Sequence, residues 1–155
     1  MRTFHDFVPG DMLRLGPILV ARADVLDFQK RFDCAAGLWT PGGPDRFLAP
    51  VASPLLVQAL VFGALLKELK AQGASATALP QFDAVRFPAP VSAYDRLTAE
   101  VEVAALEVLD GGKGLVRHRV SARNQERRLV FEGELSFHVE ARPRVKVVER
   151  EVARP

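Results

Sequence analysis

The side chains best suited to chemistry in this chain are Asp33, Cys34, Ser53, Gln58 and His118. An imidazole exchanges protons near neutral pH and a carboxylate holds water or charge, so the two together would signal general acid–base catalysis. Asp33 has no histidine close by in sequence, and a turn or cap role after a short helix competes with catalysis there. Cys34 also lacks a neighbouring histidine and reads as a small, partly buried residue. As the single cysteine it excludes an internal disulfide and a multi-cysteine metal site. His118 falls on the inward face of a predicted strand, where a hydrogen-bonded core histidine competes with a relocated base. Gln58 lies one turn inside an apolar helix, where it would cost stability if buried unpaired, so a helix–strand hydrogen bond or exposure at a subunit surface is expected. His5 and His138 read as surface residues, and no spacing of ligand types suits a metal.

These groups need elements to hold them. Ser53-Pro54 is a strong helix start, since the serine oxygen accepts an orphan N–H and proline has none to waste in the first turn. The helix is predicted to run to about Ala71, with Gly73 closing it. Apolar residues from Leu55 to Leu69 recur on several faces, so the helix should be wrapped on most sides. Leu97, Ala99, Val101 and Val103 alternate with polar residues, as a half-buried strand requires. A phase shift past Ala104-Ala105 predicts a bulge, and the glycines from Gly111 to Gly114 predict a turn. Val116, His118, Val120 and Ala122 face inward on the next strand; Phe131, Leu135, Phe137 and Val139 do so on the last, with Glu132, Glu134 and Ser136 outward. A tight turn at Gln125-Glu126 would set Arg119 opposite Glu132 and Arg117 opposite Glu134. A strand over about Ile18 to Arg22 leads into a short helix from Asp24 to Arg31. Another, about Ala84 to Phe87, ends at Pro88 and belongs at a sheet edge. The sum is α+β, an antiparallel sheet curved around one long helix.

Composition adds limits. The chain has 155 residues, 48% hydrophobic and 26% charged, which suits one globular domain over 1–140 followed by a basic tail over 141–155. A net charge of +2 without a basic block argues against nucleic acid as a partner. No residue from Phe47 to Leu66 is charged, but Pro50, Ser53, Pro54 and Gln58 break the front half, which argues against a membrane span. The start lacks the apolar core of a signal peptide, and with one cysteine this fits a reducing cytoplasm.

Several short segments, in order, resemble a MaoC-like hydratase domain, related to (R)-specific enoyl-CoA hydratases: Ala23 to Phe28, Phe32-Asp33, Val51 to Leu56, Arg86 to Val91 with Asp95 and Leu97, and Asn124-Gln125. The resemblance covers about Phe7 to Val139. It implies a hot-dog fold, a dimer, and an acyl thioester of coenzyme A type as ligand, with no other cofactor. In that family an aspartate and a histidine five residues later activate water; here Asp33 matches the first and Leu38 stands at the second. Leucine moves no proton. The family also uses a backbone N–H at the start of its central helix as an oxyanion donor, and Pro54 sits at or beside that position. Leu55 or the Ser53 hydroxyl remains as a donor. Leu38 and Trp39 would border a substrate tunnel, Gln58 would position water as in some hot-dog thioesterases, and Arg123, Asn124 and Arg127, the last in place of a usual glycine, would meet phosphates. The implied function is thioester binding with hydration impaired. The alternatives are a divergent hydratase or dehydratase, a thioesterase, or an inactive subunit beside an active MaoC-like partner.

Overall fold

The alternation between residues 96 and 140 becomes three long antiparallel strands, β3 (Arg96–Leu109), β4 (Lys113–Arg123) and β5 (Leu129–Glu140). Their inward rows, from Leu97 to Val103, from Val116 to Ala122 and from Phe131 to Val139, are buried as alternation predicts. The structure, a computed structural model, describes residues 2–32 and 48–141. Asp33, Cys34, Leu38, Trp39 and the basic tail from 142 onward lie outside the described residues.

Two shorter strands complete an antiparallel sheet of order β1-β3-β4-β5-β2: β1 (Met12–Leu19) on one edge and β2 (Gln81–Arg86) on the other. The edge position of β2 follows from Pro88 and Pro90, which cannot donate to a ladder. The bulge near Ala104 is present as a register shift between Val103 and Ala105. β1 begins and ends earlier than the predicted Ile18 to Arg22, because Gly16-Pro17 is a bulge inside a strand rather than its boundary. The register slips between Leu15 and Ile18, and Gly16 has φ +123°, with Leu97 O only 2.7 Å from where a Cβ would stand. Only glycine fits so close an approach. Arg22 then opens α1 (Arg22–Phe32).

Two expectations for the last hairpin are corrected. Arg119 pairs with Glu134, Ser121 with Glu132 and Arg117 with Ser136, a shift of two residues from the predicted register. The connection is longer than a tight turn: Asn124 Oδ1 accepts the N–H groups of Glu126 and Arg128, both at 3.0 Å, and Arg127 adopts φ +64°. The charge complementarity survives the shift, since Arg119 lies 3.1 Å from Glu102 and 3.9 Å from Glu134. Ser136, predicted outward, is buried.

α2 (Pro54–Ala71) packs into the sheet through Leu56, Val57, Val61, Phe62, Leu65 and Leu69. Phe62 meets Phe131 edge-on at a centroid distance of 5.2 Å. The helix is less wrapped than its composition suggests, for Leu55 is 60% and Leu66 40% exposed. Gly73, with φ +79°, follows the helix end at Gln72. Among the described residues no helix is long and apolar enough to cross a membrane.

Candidate functional site

The first turn of α2 is the centre of the candidate site. Ser53, almost fully buried, caps the helix, and its Oγ accepts the Leu55 N–H at 3.3 Å. Pro54 occupies the first helical position and has no N–H. Of the two donors that the sequence left, the Leu55 amide is taken up by the cap and the Ser53 hydroxyl keeps its proton. The positive end of the helix dipole adds to the hydroxyl's pull on an oxygen that carries negative charge.

Neighbouring segments hold this turn in place. Ala52 N donates to Val91 O at 2.7 Å, Ala93 N donates to Pro50 O at 2.8 Å, and Val51 bridges to Ser92. From α1, Gln29 Nε2 donates to Val51 O at 2.6 Å. Asp95 accepts the Ser92 N–H at 2.9 Å with one oxygen and the Gln125 side-chain amide at 2.9 Å with the other. The Gln125 carbonyl in turn accepts the Arg96 N–H at 3.0 Å. Asn124 and Gln125 are thus turn and bracing residues: one folds the hairpin connection, and the other ties it to the chain that leads from the groove wall.

A groove of about 770 Å³ opens beside Ser53. Its walls are apolar, made by Pro54, Leu55 and Val57 of α2, by Val85, Phe87, Pro88, Ala89, Pro90 and Val91, and by Val130 of β5. Arg86 stands at the rim, paired with Glu132 at 2.6 Å. An apolar trough with one polar, electropositive corner suits a ligand with an acyl chain and a single carbonyl.

The residues picked from the sequence fall in different places. Ser53, Pro54 and Leu55 come together at the groove. Gln58 is half-buried and does not line it. Arg123, Asn124 and Arg127 gather at the hairpin connection, beside a separate depression shared with Arg14 on the outer face of the sheet. His118 belongs to the far end of α2. It packs edge-on to Phe7 and stacks on Phe137 at 5.3 Å; Arg2 covers Phe7 and bonds to Gln72, the residue that ends the helix. An 18-residue helix is about 27 Å long, so this imidazole cannot reach a ligand at Ser53. Burial lowers its pKa to about 4, helped by the Arg2 charge and opposed by a Leu135 backbone hydrogen bond.

Gln29, Val85, Arg86, Phe87 and Val130 contribute to the site but were not singled out from the sequence. Arg86 and Phe87 sit in the proline-rich signature, which gave a segment without saying that it forms a wall. Gln29 offered no signal, because its role depends on a contact across 22 residues.

No family model matches the sequence, and no curated protein does so either. Solved structures do match. A MaoC-like dehydratase from Rhodospirillum rubrum superposes with a TM-score of 0.73 at 20% identity, over 92% of this chain and 99% of that one. A C-terminally truncated HadBC complex, a 3R-hydroxyacyl-ACP dehydratase from Mycobacterium tuberculosis, gives 0.65 at 20% identity over 85% and 97%. A protein with a double hot-dog fold, also from Mycobacterium tuberculosis, gives 0.72 at 21% identity over 94% of this chain and 46% of that one. Identities at this level speak for the fold. The described residues carry the hot-dog fold, an α+β architecture shared with MaoC-like dehydratases and (R)-hydratases.

Proposed function

We propose that this chain binds acyl thioesters of coenzyme A type in the groove beside Ser53, with hydration chemistry impaired. The observation that carries the reading is the groove itself: apolar walls leading to a buried serine at a helix N-terminus. The thioester carbonyl would accept from the Ser53 hydroxyl at the positive end of the helix, and the acyl chain would lie along Val57, Val85 and Val130. Two absences in the sequence argue against efficient hydration. Leu38 stands where the resemblance expects the catalytic histidine beside Asp33, and Pro54 removes an amide donor; a positioned acid–base group is worth roughly 10²–10⁴ in rate. Trp39, next to Leu38, is proposed as a further boundary of the acyl site.

The binding test is a thermal melt with a short enoyl-pantetheine thioester, which has the acyl and thioester groups but no nucleotide. At about 100 times Kd a single-site ligand stabilises by roughly 2.7 kcal/mol, a shift of several degrees for a domain of this size. Ala89→Trp, which fills the groove from a partly exposed position, is expected to remove the shift while the protein still melts cooperatively. A wild-type protein that shows no shift at saturating thioester contradicts the reading. Hydration of the same thioester is expected to be undetectable, and turnover abolished by Asp33→Asn would restore the enzyme reading.

We further propose that the chain pairs with a second hot-dog domain, a copy of itself or a MaoC-like partner. Support comes from β2, an edge strand whose residues are exposed on both faces, with Phe82 43% exposed. An unpaired edge of this kind recruits another strand unless it is covered. Light scattering after gel filtration tests this directly; a monomer at micromolar concentration would overturn the pairing.

A further inference from the structure

The outer face of the sheet divides into a neutralised part and a cationic part. Arg86 and Arg119 are matched by Glu132, Glu102 and Glu134. Arg14, Arg123 and Arg127 form no ion pair among the described residues, yet all three border one depression of about 530 Å³ at the β4–β5 connection. They come from three places: β1, the end of β4, and the connection itself. Arg14 stands opposite Glu100 and Glu100 opposite Ser121, while Arg123 lies two residues further along β4 opposite Thr98, so Arg14 and Arg123 are separated diagonally across two strand spacings, roughly 12 Å between backbones.

Arg127 holds a left-handed backbone, φ +64°, that glycine adopts without cost. Arg123 donates from its guanidinium to the Arg127 carbonyl at 3.1 Å, which fixes the two relative to each other. The turn folded by Asn124 thus holds the Arg127 backbone in place, and the second arginine braces it from β4. Glu100 shares the depression, leaving a formal surplus of two positive charges from three arginines and one glutamate. We propose that Arg14, Arg123 and Arg127 form a binding site for a diphosphate group. A single phosphate meets one fork, whereas a diphosphate spans the gap and matches both the charge and the planar donors. This site lies outside the acyl groove and does not rest on the thioester reading.

A free nucleoside diphosphate and coenzyme A both carry this chemistry, and calorimetric titration of the full chain at fixed ionic strength separates them. Inorganic diphosphate is expected to bind saturably. Arg14→Gln and Arg123→Gln, both at exposed positions, are each expected to weaken it at least about fivefold. Arg127→Gly is expected to weaken binding while raising the Tm of the free protein, opposite signs that a purely structural arginine cannot give. Equal affinity for ADP and coenzyme A assigns a free nucleotide. Tighter coenzyme A binding that Ala89→Trp removes assigns a ligand shared with the groove. Absence of saturation up to roughly 10 mM diphosphate overturns the proposal. So do variants that leave the affinity unchanged, or an equal response to sulfate at the same ionic strength. Diphosphate binding that persists when the pantetheine thioester fails to bind would sink the groove reading alone.

Discussion

The two ends of α2 each bury a polar side chain, and they use it in opposite ways. At the N-terminal end Ser53 borders a groove and has a proton to give. At the C-terminal end His118 is shut between Phe7 and Phe137, and its Nδ1 has no hydrogen-bond partner among the described residues. The more perturbed group is the one with no access. Burial that depresses a histidine's pKa marks a packed core here, and the site is marked instead by an ordinary serine that open space can reach. The contrast also argues against a relocated base, because the imidazole that could move protons is at the wrong end of the helix.

The largest expected effect sharpens the closed end. His118 titrates near 6.5 when unfolded and at about 4 when folded. The folded state resists protonation, so stability is full above pH 6.5 and falls as pH drops from 6.5 toward 4. Going from about pH 7.5 to about pH 5, denaturant unfolding should show a loss of about 2 kcal/mol from this one group, and about 3 kcal/mol below its folded pKa. His118→Phe, which keeps an aromatic ring between Phe7 and Phe137, is expected to remove most of that slope. A slope unchanged in His118→Phe would mean that the histidine is not sealed and that the two ends differ less than their packing indicates.

Much of this layout was legible in residue order. The Ser53-Pro54 start, the end at Ala71 and the inward rows of β3, β4 and β5 follow from capping chemistry and two-residue alternation, both local and strong. What failed was non-local. The strand expected from about Ile18 already starts at Met12 and continues through Gly16-Pro17, because its pairing with β3 carries it across the bulge. The β4–β5 register depended on a connection whose extra residues are set by Asn124 and by the left-handed Arg127. Of the candidate site, the helix start at Ser53-Pro54 was identifiable from capping chemistry, while its reading as a donor site, with Leu55, came only from the family resemblance. The walls from Val85 to Val91 and the brace from Gln29 were not identifiable, since which apolar residues face a groove is decided by the fold. The same reason explains why the place of Arg123 and Arg127, read as phosphate contacts, beside Arg14 on the outer face was not legible.

A smaller effect is expected at the open end. Ser53→Ala removes the cap that accepts the Leu55 N–H, and loss of an N-cap costs about 1 kcal/mol. It also removes the hydroxyl donor, so thioester affinity should fall by about fivefold to tenfold, equivalent to one hydrogen bond of about 1 kcal/mol. Thermal melts with and without ligand separate the two losses. If stability falls but affinity does not, the carbonyl is held elsewhere, and the N-terminal end of α2 is a capped helix like any other.

The smallest effect concerns the rim of the same groove. Arg86 and Glu132 approach to 2.6 Å, but the arginine side chain is 73% exposed, so water and salt screen most of the attraction. Glu132→Gln is therefore expected to change stability by no more than about 0.5 kcal/mol. Its use is to separate rigidity from charge at the open end. A neutral acyl ligand should bind the variant as it binds the wild type, whereas a ligand with an anionic end at the rim should bind more tightly once Arg86 is released. A stability loss of about 2 kcal/mol would instead show that the groove mouth is held as firmly as the His118 end, and the contrast between an open and a closed end of α2 would fail.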